Sequence, residues 1–153
     1  MQQNLFNVEQ DELTSDDYYT PQWLFDEMAI EFDLDVASPP HATCVPCKRY
    51  YTRKDDGLTQ PWYGNVWMNP PFSKPRPWVD KFMQHANGVA LLPVSKSQWF
   101  YDVWQSKAAI TYINYNFRFI DPKGSNGSIF MPIVLIAYGK RNIEAIKTVG
   151  KIR

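Results

Sequence analysis

Apolar positions recur along the chain with two periods, and they divide it into alternating helices and strands. Phe25, Met28, Ala29 and Phe32 follow helical spacing behind Thr20-Pro21. Thr caps helices well and Pro favours the first helical position, which predicts a helix opening at Pro21 with Thr20 as its cap. Leu34 to Ala37 is a short strand candidate that stops at Ser38-Pro39-Pro40. Residues 38–64 show little periodicity and read as a loop, and a loop that long in a compact domain usually serves function. Val66-Trp67-Met68 reads as a buried strand running into Asn69-Pro70-Pro71-Phe72. Trp78, Val79, Phe82, Met83 and Ala86 share one face of a helix from about Pro77, ended by Asn87-Gly88. Val89 to Val94 is another buried strand, and Ser97 to Gln105 is helical with Trp99, Phe100, Val103 and Trp104 inward. Ala109 to Ile120 and Ile129 to Tyr138 are longer β runs joined by the turn-rich stretch Asp121 to Gly127. Asn142 to Val149 closes the pattern as a short helix.

The predicted order is therefore α-β-loop-β-α-β-α-β-β. Strands that alternate with helices imply an α/β fold, a mostly parallel sheet with helices on both faces. The last two strands, joined by a short loop, imply a C-terminal antiparallel hairpin. The 153 residues suit a single domain. Residues 1–17 are polar and acidic and are expected to form a mobile arm, with the folded domain over 18–153. The longest clean apolar run, Ile133 to Ala137, falls far short of the ~20 residues that span a bilayer. No membrane partner is expected. Met1 to Gln10 lacks the cationic stretch of a signal peptide, so the expected location is cytoplasmic.

Charge and composition narrow the function less than the motifs do. Sixteen basic residues balance sixteen acidic ones, which excludes a uniformly basic coat but allows a basic face. Six Trp, nine Tyr and nine Phe suit either a bulky core or platforms that stack bases. Cys44 and Cys47 form a lone CxxC with His41 just before it. A structural zinc wants four ligands, no second pair exists, and no metal is expected.

In a parallel sheet, ligands bind outside the carboxyl ends of the strands. The residues there are Asp35-Val36-Ala37-Ser38, Asn69-Pro70-Pro71-Phe72 and Pro93-Val94-Ser95. The second group carries the strongest signal. Two consecutive prolines stiffen the backbone and remove two N–H donors. What remains is acceptors: the Asn69 side-chain oxygen and the Pro70 carbonyl. Such a pair suits an amino group, and Phe72 can stack on the planar group that bears it. A strand-ending turn with a buried Phe is the plainer alternative.

These residues identify a resemblance. Asn69 to Phe72 resembles the (D/N)PP(Y/F) motif of amino-group methyltransferases that use S-adenosylmethionine. Tyr19-Thr20-Pro21, with Leu24-Phe25 behind, looks like the motif that packs against the cofactor in N6-adenine enzymes. Asp35 to Ser38 is similar to a short form of the first cofactor motif, D-x-A-S. Asp55-Asp56-Gly57-Leu58, then Trp62 and Val66-Trp67-Met68-Asn69, completes a spacing similar to the small phage-type DNA N6-adenine methyltransferases, the Dam-like family. Ser38-Pro39-Pro40 stands where a Gly-rich turn is usual, and Phe72 where Tyr is commoner.

The resemblance implies a Rossmann-like methyltransferase domain, with S-adenosylmethionine as cofactor and DNA as partner. It implies catalytic roles for Asn69, Pro70, Pro71 and Phe72. It implies cofactor contacts from Tyr19, Thr20, Pro21, Asp35, Ala37, Asp55 and Asp56. The methyl group would pass in line to the exocyclic nitrogen of an adenine flipped out of the duplex. Lys48, Arg49, Arg53 and Lys54 in the long loop, and Lys74, Arg76 and Lys81 after the motif, are candidates to hold phosphates. A homodimer would enlarge the DNA contact, and a phage-encoded enzyme would work in the host cytoplasm. Two alternatives remain open: a methyltransferase on RNA adenine or protein glutamine, and a non-catalytic nucleic-acid-binding relative.

Overall fold

The computed structural model describes residues 19–40, 44–113, 117–120 and 132–153. In chain order the elements are α1 (Gln22–Met28), β1 (Phe32–Asp35), β2 (Cys47–Tyr50), β3 (Val66–Met68), α2 (Arg76–His85), β4 (Gly88–Pro93), α3 (Gln98–Gln105), β5 (Ala109–Tyr112), β6 (Ile133–Tyr138) and α4 (Lys140–Lys147). They build one mixed α/β domain around a six-stranded sheet ordered β2-β1-β3-β4-β6-β5. β2, β1, β3 and β4 pair parallel, and β6 runs antiparallel to both β4 and β5.

β3 and β4 are buried along their whole length, as strands covered on both faces must be. Their side chains alternate between two cores. Trp67, Val89 and Leu91 join Leu24, Phe25 and Met28 of α1 and Ile146 of α4. Val66, Met68, Ala90 and Leu92 join Val79 and Phe82 of α2 and Trp99 and Val103 of α3. The result is three layers: α1 with α4, the sheet, and α2 with α3.

Several sequence expectations shift, each for a physical reason. α1 ends at Met28, where Ala29 takes a left-handed conformation (φ 51°) and donates its N–H to Phe25. Phe32 starts β1 instead of ending the helix, yet it enters the same core as Phe25 and Met28, so its helical spacing is coincidental. Pro21 is the cap residue, not the first helical one, and Thr20 makes no capping bond. The stretch read as loop contains β2, an edge strand whose Lys48, Arg49 and Tyr50 are exposed and so show no apolar alternation. The inward assignment fails for Trp104, which is 53% exposed, while Trp99 and Val103 are buried. Ala86 is an exposed left-handed cap after α2 rather than a core residue. α4 begins at Lys140, ahead of the expected start.

The antiparallel pairing of the last two strands is present, but β6 is the one that abuts the parallel strands. The Asp121 to Gly127 loop, His41 and residues 1–17 lie outside the described residues. Ile120 returns to pair with Tyr19. The chain passes from β1 outward to β2 and then back across to β3 on the other side of β1. That reversal opens a crevice at the carboxyl ends of β1 and β3.

Candidate active site

A pocket of about 480 Å³ occupies this crevice. One wall comes from the end of β1, through Ala37, Ser38 and Pro39. Another comes from the segment after β2: Thr52, Arg53, Asp56, Gly57 and Leu58. The segment after β3 supplies Asn69, Pro71, Ser73 and Lys74, and the first turn of α2 supplies Pro77 and Trp78. Sequence positions from 37 to 78 thus meet in one cavity because the strand order brings three chain ends together.

Asn69 is half-buried at the pocket. Its Nδ2 donates to Thr20 Oγ1 over 3.4 Å, a long bond. Thr20 is itself buried. Its carbonyl accepts from Cys44 Sγ at 3.0 Å, and Tyr19 exchanges backbone bonds of 2.9 and 2.8 Å with Ile120. Thr20 thus touches Asn69 from outside the pocket, and Tyr19, Thr20 and Pro21 do not line it. Pro70 is buried and Pro71 forms part of the wall. Phe72 is half-buried, packs against the α1 side of the core, and meets Phe119 edge-on at 6.1 Å.

Asp35 is 1% exposed at the end of β1. Its Oδ1 accepts the Ala37 N–H at 3.1 Å, so it shapes the turn that carries Ala37 and Ser38 into the wall. Burial pushes its carboxyl up to about 7, only partly offset by the Ala37 bond. Cys47 is pushed up to about 11, by burial first and then by the Asp35 carboxylate. Cys44 and Cys47 are both free thiols. Among the described residues no cluster of three or more His, Cys, Asp or Glu is arranged for a metal. Nor is any described helix long and apolar enough to cross a membrane.

Asp55 and Asp56 divide their work. Asp55 Oδ2 accepts from the Thr52 N–H (2.8 Å) and the Thr52 hydroxyl (3.1 Å), closing a turn. Asp56 takes φ 56° and faces the pocket. Gly57 lies so close to the Val36 carbonyl and the Trp78 ring that a Cβ would collide with the carbonyl.

The basic candidates separate in the same way. Arg53 and Lys74 reach the pocket. Lys48 pairs with Asp33 at 3.2 Å. Arg76 pairs with Asp80 at 3.2 Å and Asp102 at 3.3 Å. Arg49 is exposed on β2. Lys81, grouped by sequence with the phosphate-holding cations, points instead into the loop. Its Nζ donates to the carbonyls of Leu58 (2.8 Å), Gln60 (2.6 Å) and Gly57 (3.4 Å). Sequence reasoning missed Thr52 and Trp78 as pocket residues. Trp78, Lys81 and His85 recur at i, i+3 and i+7, a second face of α2 that its helical period could have disclosed.

A family model described as DNA N-6-adenine-methyltransferase (Dam) matches residues 8–143. A DNA N-6-adenine-methyltransferase of Haemophilus phage HP1 is 35% identical over 105 residues, covering 61% of this chain and 60% of that protein. A protein of the same description from Escherichia phage T1 is 34% identical over 90 residues, covering 54% of this chain and 37% of that protein. The chain thus spans less than two thirds of the length of these curated relatives. No solved structure matches it significantly. With the family model covering most of its length, the chain belongs to the DNA N-6-adenine-methyltransferase (Dam) family.

Proposed function

We propose that this protein methylates the N6 amine of adenine in DNA, with S-adenosylmethionine as the methyl donor. The observation that carries the reading is the place of the Asn69 amide, at the pocket just after β3, with its Nδ2 donating to Thr20. The pocket residues fit the donor. A volume of about 480 Å³ lies within the range of small-molecule sites. Trp78, Leu58 and Pro77 offer flat apolar walls, while Ser38, Thr52 and Asp56 offer acceptors for hydroxyl or ammonium groups. When bound, the donor supplies an electrophilic methyl group on a sulfonium. Asp35 acts through the turn it holds, and Asp55 through the Thr52 turn. The domain would be Rossmann-like in the sense that its ligand sits at the reversal of strand order.

Adenine N6 is a weak nucleophile because its lone pair is delocalised into the ring. Asn69 Oδ1 and the Pro70 carbonyl would each accept one of its two N–H groups. Two acceptors favour a pyramidal nitrogen and stabilise positive charge as the new N–C bond forms. The surplus proton then leaves to solvent. Pro71 adds no competing N–H donor. Phe72 would stack on the flipped base, and Arg53 and Lys74 at the pocket would hold phosphates. A second copy would widen the DNA footprint, and a phage setting would put the work in the host cytoplasm.

Labelled methyl transfer to DNA, RNA and protein tests the reading, with Asn69→Ala alongside. Transfer to DNA adenine is expected, and the variant should lose roughly 10²–10³ in rate while binding the donor normally. Labelling of RNA or protein in place of DNA would replace the substrate. Near-normal turnover by the variant would overturn the role of Asn69.

A further inference from the structure

The wall of the pocket formed by residues 56–58 is a loop without regular secondary structure, and such a loop needs a reason to hold its shape. Three contacts supply one, and all come from one face of α2. Lys81 sends its ammonium to the carbonyls of Gly57, Leu58 and Gln60. Trp62 lies over Trp78 with ring centroids 6.4 Å apart and meets His85 edge-on at 6.1 Å. The Lys81 ammonium also stands 5.1 Å from the Trp62 ring, while Trp62 Nε1 donates to the Gly57 carbonyl at 2.8 Å. An ammonium has three donors and no acceptor, so three carbonyls converging on it use its full capacity. Hydrogen bonds from a charged donor are about twice as strong as neutral ones.

We propose that Lys81 is the positioning residue of the donor pocket: by gathering the carbonyls of residues 57, 58 and 60 it holds Asp56 and Leu58 against the end of β1. The assignment rests on the methyltransferase reading for the identity of the ligand, but the loop geometry stands apart from it. Lys81 touches neither the pocket nor the substrate, and it acts only through the loop. It also removes one cation from the set that could reach DNA. Arginine is a poor substitute, because its planar fork cannot point at three carbonyls around one centre.

The test uses the full chain with Lys81→Met and Lys81→Arg, read two ways. Hydrogen exchange at the amides of residues 55–60 reports the loop directly. Calorimetry with S-adenosylmethionine, and kcat on DNA at saturating donor, report its consequence. Lys81→Met should speed exchange in that loop and weaken donor affinity roughly 10- to 100-fold, the scale for losing hydrogen bonds to a charged group. Its kcat at saturation should stay within a few-fold of the wild type. Lys81→Arg should fall in between. Unchanged exchange in residues 55–60 overturns the proposal whatever the ligand is. Faster exchange with unchanged affinity, in a wild type that binds the donor, overturns the link from loop to pocket. A wild type that binds no S-adenosylmethionine sinks the methyltransferase reading instead, and the exchange result then decides the loop alone.

Discussion

Replacing Asp35 with Asn should make the protein more stable at neutral pH and leave it nearly unchanged in acid. The carboxyl is sealed at the end of β1, with its Oδ1 on the Ala37 N–H, and burial carries it from its ordinary 3.8 to about 7. Each unit of such a displacement corresponds to 1.36 kcal/mol, so the full cost of keeping this side chain ionised inside is ~4 kcal/mol. Below about pH 4 the carboxyl is protonated in both folded and unfolded chains and contributes no difference. Between about pH 4 and 7 the unfolded chain loses its proton while the folded one keeps it, so stability falls with rising pH. Above about pH 7 both are ionised and the loss is complete. Asn cannot ionise, and its Oδ1 still accepts from Ala37. Urea unfolding of wild type and Asp35→Asn at half-unit steps from pH 4.5 to 8 reads the effect. The variant's advantage should grow across the window and level off near neutrality at up to ~4 kcal/mol. An advantage independent of pH, or a variant less stable throughout, would refute the buried neutral carboxyl. If donor affinity also fell more than a few-fold, Asp35 would be a ligand and not only the holder of a turn.

Gly57→Ala should cost roughly 1–3 kcal/mol or more, because the new Cβ meets the Val36 carbonyl; a melting temperature equal to wild type would show that the loop can move aside. Thr20→Val removes the acceptor for Asn69 Nδ2. It should lower kcat at saturating donor about tenfold, with recovery in Thr20→Ser, and an effect confined to donor affinity would point to direct contact instead. Phe72→Leu keeps apolar bulk against Phe119 and loses the aromatic face. If Phe72 stacks on the flipped base, the variant should lose ~1–3 kcal/mol of base interaction, less on mismatched adenines, and equal activity of wild type and variant on matched DNA would exclude stacking.

Much of this protein was legible in the chain alone. β3, β4 and the outline of α2 and α3 follow from apolar period, since a strand buried on both faces and an amphipathic helix each announce themselves locally. The Asn69 motif stands out by its chemistry, because consecutive prolines after a buried strand remove two N–H donors from the turn. Tertiary structure decided what a side chain touches when its partner is distant in sequence. β2 is a strand only because β1 offers it an edge; with Lys48, Arg49 and Tyr50 exposed, nothing in its own residues marks it. Thr20 has the residue type of a helix cap, yet its hydroxyl meets Asn69 because α1 packs on β3, with Phe25 edge-on to Trp67. Lys81 and Arg76 look alike on α2, and one binds loop carbonyls while the other binds Asp80 and Asp102. A charge in the sequence states what a side chain can pair with, whereas the choice among partners is made by the crossing of chain segments, here the return from β2 across β1 that lays residues 57–60 over α2.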